Sequence, residues 1–125
     1  MRYTGSMLTS EHHTISKTIR IPKCLLDKAV EEATRKGVGK PAVFLRMLVL
    51  QRIRTPKDTY ENLSQIAHIR KPELRGSPSD RVNLRFSEES FKEVLDASQF
   101  VASGNITSLV IAVLLEHYEA TASSD

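Results

Sequence analysis

Arg81, Asn83 and Arg85 alternate with Val82, Leu84 and Phe86, and no other stretch of this sequence has so clear a chemical pattern. Side chains on a strand point to opposite faces with period two. The spacing therefore sends three apolar groups toward a core and two guanidiniums with a carboxamide outward. Arginine can grip the O6 and N7 atoms of guanine with two parallel hydrogen bonds, and asparagine can do the same to N6 and N7 of adenine. The outward row has the chemistry of a base-reading edge. A two-stranded ribbon fits a major groove, and one strand is not that ribbon, so the reading calls for a partner strand. The competing reading is an exposed strand whose charges keep its edge from associating with others.

The partner is sought at Ser16-Lys17-Thr18-Ile19-Arg20-Ile21-Pro22, because Arg20 and Arg85 lie 85 − 20 = 65 residues apart and that offset aligns much of the chain. Thr18 falls on Asn83, Ile19 on Leu84 and Ile21 on Phe86. Further along, Leu26 falls on Phe91, Val30 on Leu95, Gly39 on Gly104, Phe44 on Leu109, Leu48 on Val113 and Leu50 on Leu115. Self-similarity at one offset, carrying strand, helix, turn and helix together, reads as a duplicated unit.

The elements that must position these residues follow in order. A strand over about Ile15 to Ile21 ends at Pro22, which lacks an N–H. A helix is expected over Lys23 to Lys36, with Leu25, Leu26, Ala29, Val30 and Ala33 as its apolar stripe, stopped by Gly37-Val38-Gly39. Pro41 opens a second helix reaching about Arg54. Residues 55–80, with prolines at 56, 72 and 78, read as a linker. Asp58 or Thr59 would cap a short helix there, whose Tyr60, Leu63, Ile66 and Ala67 turn to the main body. In the second copy Ser87 caps a helix with Phe91, Val94, Leu95 and Ala97 inside. Asn105 caps a last helix, Ile106 to about Tyr118, apolar on nearly every side and so expected to be buried. Residues 1–13 and 120–125 read as polar tails.

Composition narrows the function classes. With 125 residues and a net charge of +3, from 18 Lys plus Arg against 15 Asp plus Glu, the chain suits one compact domain, expected over 14–119. Charge placement matters more than the total: residues 13–23 carry Lys17, Arg20 and Lys23 and no acid. One cysteine, Cys24, excludes an internal disulfide and a multi-cysteine zinc site, and a partly buried thiol is the expectation. Met1 to Ser6 lack the apolar core of a secretory leader, so a cytoplasmic protein without membrane attachment is expected. His12-His13 has no further Cys or His grouped with it, and His68 and His117 stand apart. No nucleophile–base arrangement, phosphate loop or metal cluster is identifiable, which argues against an enzyme and against a cofactor.

Strand, helix, turn, helix is the order of the ribbon-helix-helix DNA-binding family, which residues 14–54 and 81–119 resemble. Arg81-Val82-Asn83-Leu84-Arg85-Phe86 is similar to that family's strand signature. Members usually carry one copy and pair strands between subunits. Two copies in one chain resemble the tandem TraY-type proteins of conjugative plasmids. The resemblance implies a mainly α fold with one short two-stranded antiparallel ribbon closed within a single chain. It implies a monomer whose partner is double-stranded DNA. Carried over by position, Ser16, Thr18, Arg20, Arg81, Asn83 and Arg85 would face the major groove. Phosphate would be held at the second helix starts by Gly39, Lys40 and Ala42, and by Asn105, Ile106 and Thr107. Free N–H groups at a helix start suit an anion. Lys17, Lys23 and Lys40 are expected to act on phosphate as cations. The first copy departs from the pattern, since Ser16 and Thr18 are short and Lys17 stands where an apolar group is common, so β-strand one is expected to hold phosphate more than to read bases. The implied role is an accessory factor in plasmid or T-DNA processing and transfer, with a relaxase or other transfer protein as a further partner. The alternatives are a repressor or antitoxin-type regulator, and a protein-docking module.

Overall fold

A computed structural model describes residues 14–56, 59–69, 74 and 76–123, with side chains as far as Glu119. The elements are β1 (Ile15–Pro22), α1 (Lys23–Arg35), α2 (Pro41–Ile53), α3 (Tyr60–Ile69), β2 (Ser79–Phe86), α4 (Glu88–Ala102) and α5 (Ile106–Ser123). Over the described residues the protein is thus mainly helical, with five helices and one two-stranded sheet. The expected first tail with His12-His13, and Asp58 as a cap, lie outside the described residues.

β1 and β2 pair antiparallel, from Ile15 opposite Phe86 to Pro22 opposite Ser79. Lys23 N–H donates to Pro78 O at 2.8 Å and extends the ladder by one bond. The pairing joins segments far apart in sequence, and the internal offset explains its register. Thr18 faces Asn83, and 83 − 18 = 65, so the two strands cross at a pair of repeat mates. Helix starts obey the same offset: 88 − 23 = 65 for α1 and α4, and 106 − 41 = 65 for α2 and α5. Strand crossing and helix starts thus follow one and the same offset.

The ribbon's inner face rests on the core through Ile19, Ile21, Leu84 and Phe86. The core beneath it takes residues at matching positions of the offset, with Ala29 and Val94, Phe44 and Leu109, Leu45 and Val110, and Val49 and Leu114 all buried. α5 is buried throughout Leu109–Leu115, as its all-round apolar sequence requires. Among the described residues no single helix is long and apolar enough to cross a membrane.

Local signals set the breaks. Gly37, at φ 76°, ends α1, and Val38 N–H returns to Ala33 O at 2.8 Å. Ser87 Oγ accepts from Ser90 N–H at 3.1 Å, and Asn105 Oδ1 accepts from Ser108 N–H at 3.0 Å, capping α4 and α5. Between those helices Ser103 (φ 54°) and Gly104 (φ 90°) turn left-handed, and a Cβ on Gly104 would sit 3.0 Å from Gln99 Nε2. The left-handed region costs a residue with a Cβ roughly 1–2 kcal/mol. Gly104→Ala should lower unfolding free energy by about that amount in urea titration, and an unchanged midpoint would contradict the geometry.

Three expectations need correction. Val30 and its mate Leu95 are 39% and 37% exposed rather than inward. The buried stripe of α1 is Leu25, Ala29, Glu32 and Ala33, and Val30 stands about 100° away from Ala29 around the helix. Cys24 is exposed, not partly buried, because Leu25 beside it takes the inward position. Within residues 55–80 the short helix expected there is present: α3 buries Tyr60, Leu63 and Ala67 and packs on α4 and α5. Finally, α5 continues to Ser123 instead of ending near Tyr118, since Ala-Thr-Ala contains no breaker.

Arg52 ties α3 down. Its guanidinium donates to Glu116 on α5 (Nη2 to Oε2, 3.1 Å), to Thr59 O at 2.8 Å, and to the hydroxyls of Thr55 and Thr59 at 2.7 and 2.9 Å. Asn62 Nδ2 adds a bond to Glu116 Oε2 at 2.6 Å, and Tyr60 OH donates to Ile53 O.

Candidate nucleic-acid interface

The outward face of the ribbon carries six side chains in two rows. Ser16 lies opposite Arg85, Thr18 opposite Asn83 and Arg20 opposite Arg81, and all six residues are exposed. The sheet's own geometry explains this, because directly paired residues share a face. Arg20 and Arg81 therefore stand as like charges across from each other, an arrangement that destabilises an isolated sheet. Among the described residues none of the three arginines forms an ion pair with a carboxylate. Arg20 Nη1 donates only to Ser79 Oγ, at 3.4 Å. A row of unneutralised guanidiniums is suited to an external anion.

Each end of the ribbon is flanked by a cleft at the start of a second helix. Near α2, a cleft of about 390 Å³ is lined by Lys40, Ala42, Val43 and Arg46 together with Asn83 and Arg85. Near α5, one of about 440 Å³ is lined by Thr107, Ser108 and Ile111 with Arg20, and further by residues of the segment between the repeats. Arg20, Thr107, Ser108 and Ile111 are the offset mates of Arg85, Ala42, Val43 and Arg46. In both, a helix start from one repeat meets the strand of the other, which is what antiparallel crossing produces.

The helix starts offer unequal numbers of free amides. At α2, Pro41 has no N–H, and Val43 and Phe44 donate back to Lys40 O at 3.1 and 3.2 Å, leaving Ala42. At α5, Ser108 N–H is taken by the Asn105 cap and Leu109 N–H by Asn105 O, leaving Ile106 and Thr107. Such amides, with the positive end of the helix dipole, form an anion site.

The structure thus brings Lys40, Ala42, Asn83 and Arg85 together, and Arg20 with Thr107. Other expected residues behave differently. Asn105 spends its carboxamide oxygen on the cap, and Ile106 buries its side chain and can offer only its backbone. Lys17, Lys23 and Gly39 are exposed but line neither cleft. Lys17 pairs with Leu84, on the face opposite the reading row.

Sequence reading missed Arg46, whose Nη1 donates to Arg85 O at 3.1 Å across the α2 cleft. The available signal was a lone cation in the apolar run from Ala42 to Leu50. It also missed a polar cluster away from the ribbon. Glu32, 8% exposed, accepts from Tyr118 OH at 3.0 Å, lies 3.0 Å from His117 Nε2 and pairs with Lys36 at 3.1 Å. Burial pushes the Glu32 carboxyl up, but the bonds from His117, Lys36 and Tyr118 outweigh it and hold it below its ordinary value. The Tyr118 phenol is raised, by burial first and then by the adjacent Glu32 carboxylate. His117, apparently isolated in sequence, is a lock between α1 and α5.

Among the described residues no group of three or more His, Cys, Asp and Glu is placed to hold a metal ion. Comparison with protein-family models, curated proteins and solved structures finds no match.

Proposed function

We propose that this chain binds double-stranded DNA by laying the β1–β2 ribbon in the major groove, as a single-chain double ribbon-helix-helix domain. The observation that carries this reading is the pairing of Ser16, Thr18 and Arg20 with Arg85, Asn83 and Arg81 on one exposed face, flanked at both ends by helix-start clefts. Base edges would be read by the ribbon, and the backbone held by the amides of Ala42, Ile106 and Thr107 and by Lys40. Lys17 and Lys23 would add long-range attraction. Because Ser16-Thr18-Arg20 differs from Arg81-Asn83-Arg85, the preferred site need not be palindromic, unlike the sites of symmetric dimers.

The setting proposed for this activity is DNA processing and transfer from a plasmid. It rests on the resemblance of residues 14–54 and 81–119 to the tandem TraY-type arrangement of conjugative plasmids. Footprinting on a plasmid transfer region and on a promoter library distinguishes that role from repression.

Fluorescence anisotropy with a random-sequence duplex at several salt concentrations tests the core reading. Affinity should fall steeply, with log K against log salt showing a slope of about −0.9 per phosphate neutralised. Absence of binding at moderate salt would refute it and leave a protein-docking role.

A further inference from the structure

The two clefts occupy equivalent positions and are built from different materials. The α2 cleft gathers Lys40, Arg46 and Arg85. In the α5 cleft the mates of Lys40 and Arg46 are Asn105, committed to its cap, and Ile111, which is buried. That cleft keeps one cation, Arg20, the mate of Arg85, and gains a wall from the segment between the repeats, through His68 on α3 and through Gly76 and Ser77. It is also lined by Ser108, 6% exposed, whose hydroxyl has no hydrogen-bond partner among the described residues. Buried hydroxyls are nearly always bonded to protein or to water, so this one is left to bond whatever occupies the cleft, water or an oxygen of a ligand.

Resting on the duplex-binding reading, we propose that the clefts grip the DNA backbone by different means. The α2 cleft uses cations. The α5 cleft uses the hydroxyls of Ser77 and Ser108 and the amides of Ile106 and Thr107, and its added wall reaches further along the strand. The chain then sits on its site in one orientation, with a longer backbone footprint on the α5 side. Cationic contacts displace counterions and neutral donors do not, so the salt dependence originates mainly at the α2 end.

The test uses the full chain and a duplex it selects from a random-sequence pool. An iron–EDTA cleaving group on the sole cysteine, exposed Cys24, should cut one flank of that site. Moved to the repeat-equivalent position as Glu89→Cys in a Cys24→Ser background, it should cut the other. Equal cutting of both flanks from either position overturns the proposal. Unlike strands could fix orientation alone, so ethylation interference supplies the second arm. Sensitive phosphates should extend further on the α5 flank, and Ser77→Ala with Ser108→Ala should remove the extra ones without changing the salt slope. Arg46→Gln should reduce that slope by about one. Equal interference on both flanks, or a slope that falls as much with the serine variants as with Arg46→Gln, overturns the proposal. The serine variants should melt no lower than the parent, because Ser108 lies on α5, where alanine suits a helix and no bond is lost, and Ser77 is exposed outside any helix. Failure to select any duplex would instead refute DNA binding itself.

Discussion

If the ribbon reads bases as proposed, replacing Arg85 by alanine should weaken binding to the preferred duplex by about 1–3 kcal/mol, the worth of one bidentate arginine–guanine contact. The loss on random-sequence duplex should be much smaller, so that sequence preference relaxes. Arg85 has the geometry for this effect. It is exposed on the reading face, and its backbone carbonyl is held by Arg46 from α2, which fixes where the side chain starts. Its partner across the ribbon, Ser16, makes a useful contrast. A serine hydroxyl reads bases weakly, so Ser16→Ala should change affinity far less. Competition titrations with selected and random duplex measure both. Equal loss on the two duplexes would reduce Arg85 to a phosphate contact.

The largest effect on stability is expected from Arg52→Met. Arg52 and Glu116 are mostly buried, with side chains 17% and 21% exposed. Removing one partner of a well-buried pair costs about 3–5 kcal/mol because the other charge is left unpaired. The partial exposure here brings the expectation to about 2–3 kcal/mol. Glu116→Gln in the Arg52→Met background should recover part of the loss, and a double-mutant cycle measures the coupling. Acid should expose the same network. Burial raises the Glu116 carboxyl, but bonds from Arg52 and Asn62 outweigh it and leave it below its ordinary value, as with Glu32. A carboxyl depressed in the folded state contributes stability that is complete above its unfolded value near 4.3 and is lost as pH falls through the folded one. The parent's melting temperature should therefore drop below about pH 4.5 more steeply than that of the double variant. Parallel acid limbs would show that Glu116 gains nothing from Arg52.

Much of the ribbon was legible in sequence because period two and the 65-residue offset act together. Alternation fixed which side chains face out, and the offset pointed to the segment that pairs, while the register, with Thr18 opposite Asn83, is a finding of the structure. Caps at Ser87 and Asn105 were equally local signals. What was not legible depended on where helices come to rest. Val30 and Leu95 have the right residue type for a core, yet the stripe centred on Ala29 and Val94 leaves them at the margin. Glu32 has the wrong type, yet it is buried because His117 and Tyr118, 117 − 32 = 85 and 118 − 32 = 86 residues away, satisfy it. Arg46 and the wall of the α5 cleft acquire meaning only once a strand from the opposite repeat lies beside them.

One covalent chain supplies both strands of the sheet, and assembly is consequently a unimolecular event. Its midpoint of unfolding should not move when the protein is diluted, whereas that of a two-subunit equivalent falls with concentration. A handful of molecules per cell would each remain intact. The arrangement also frees the halves to diverge, because neither has to match a copy of itself.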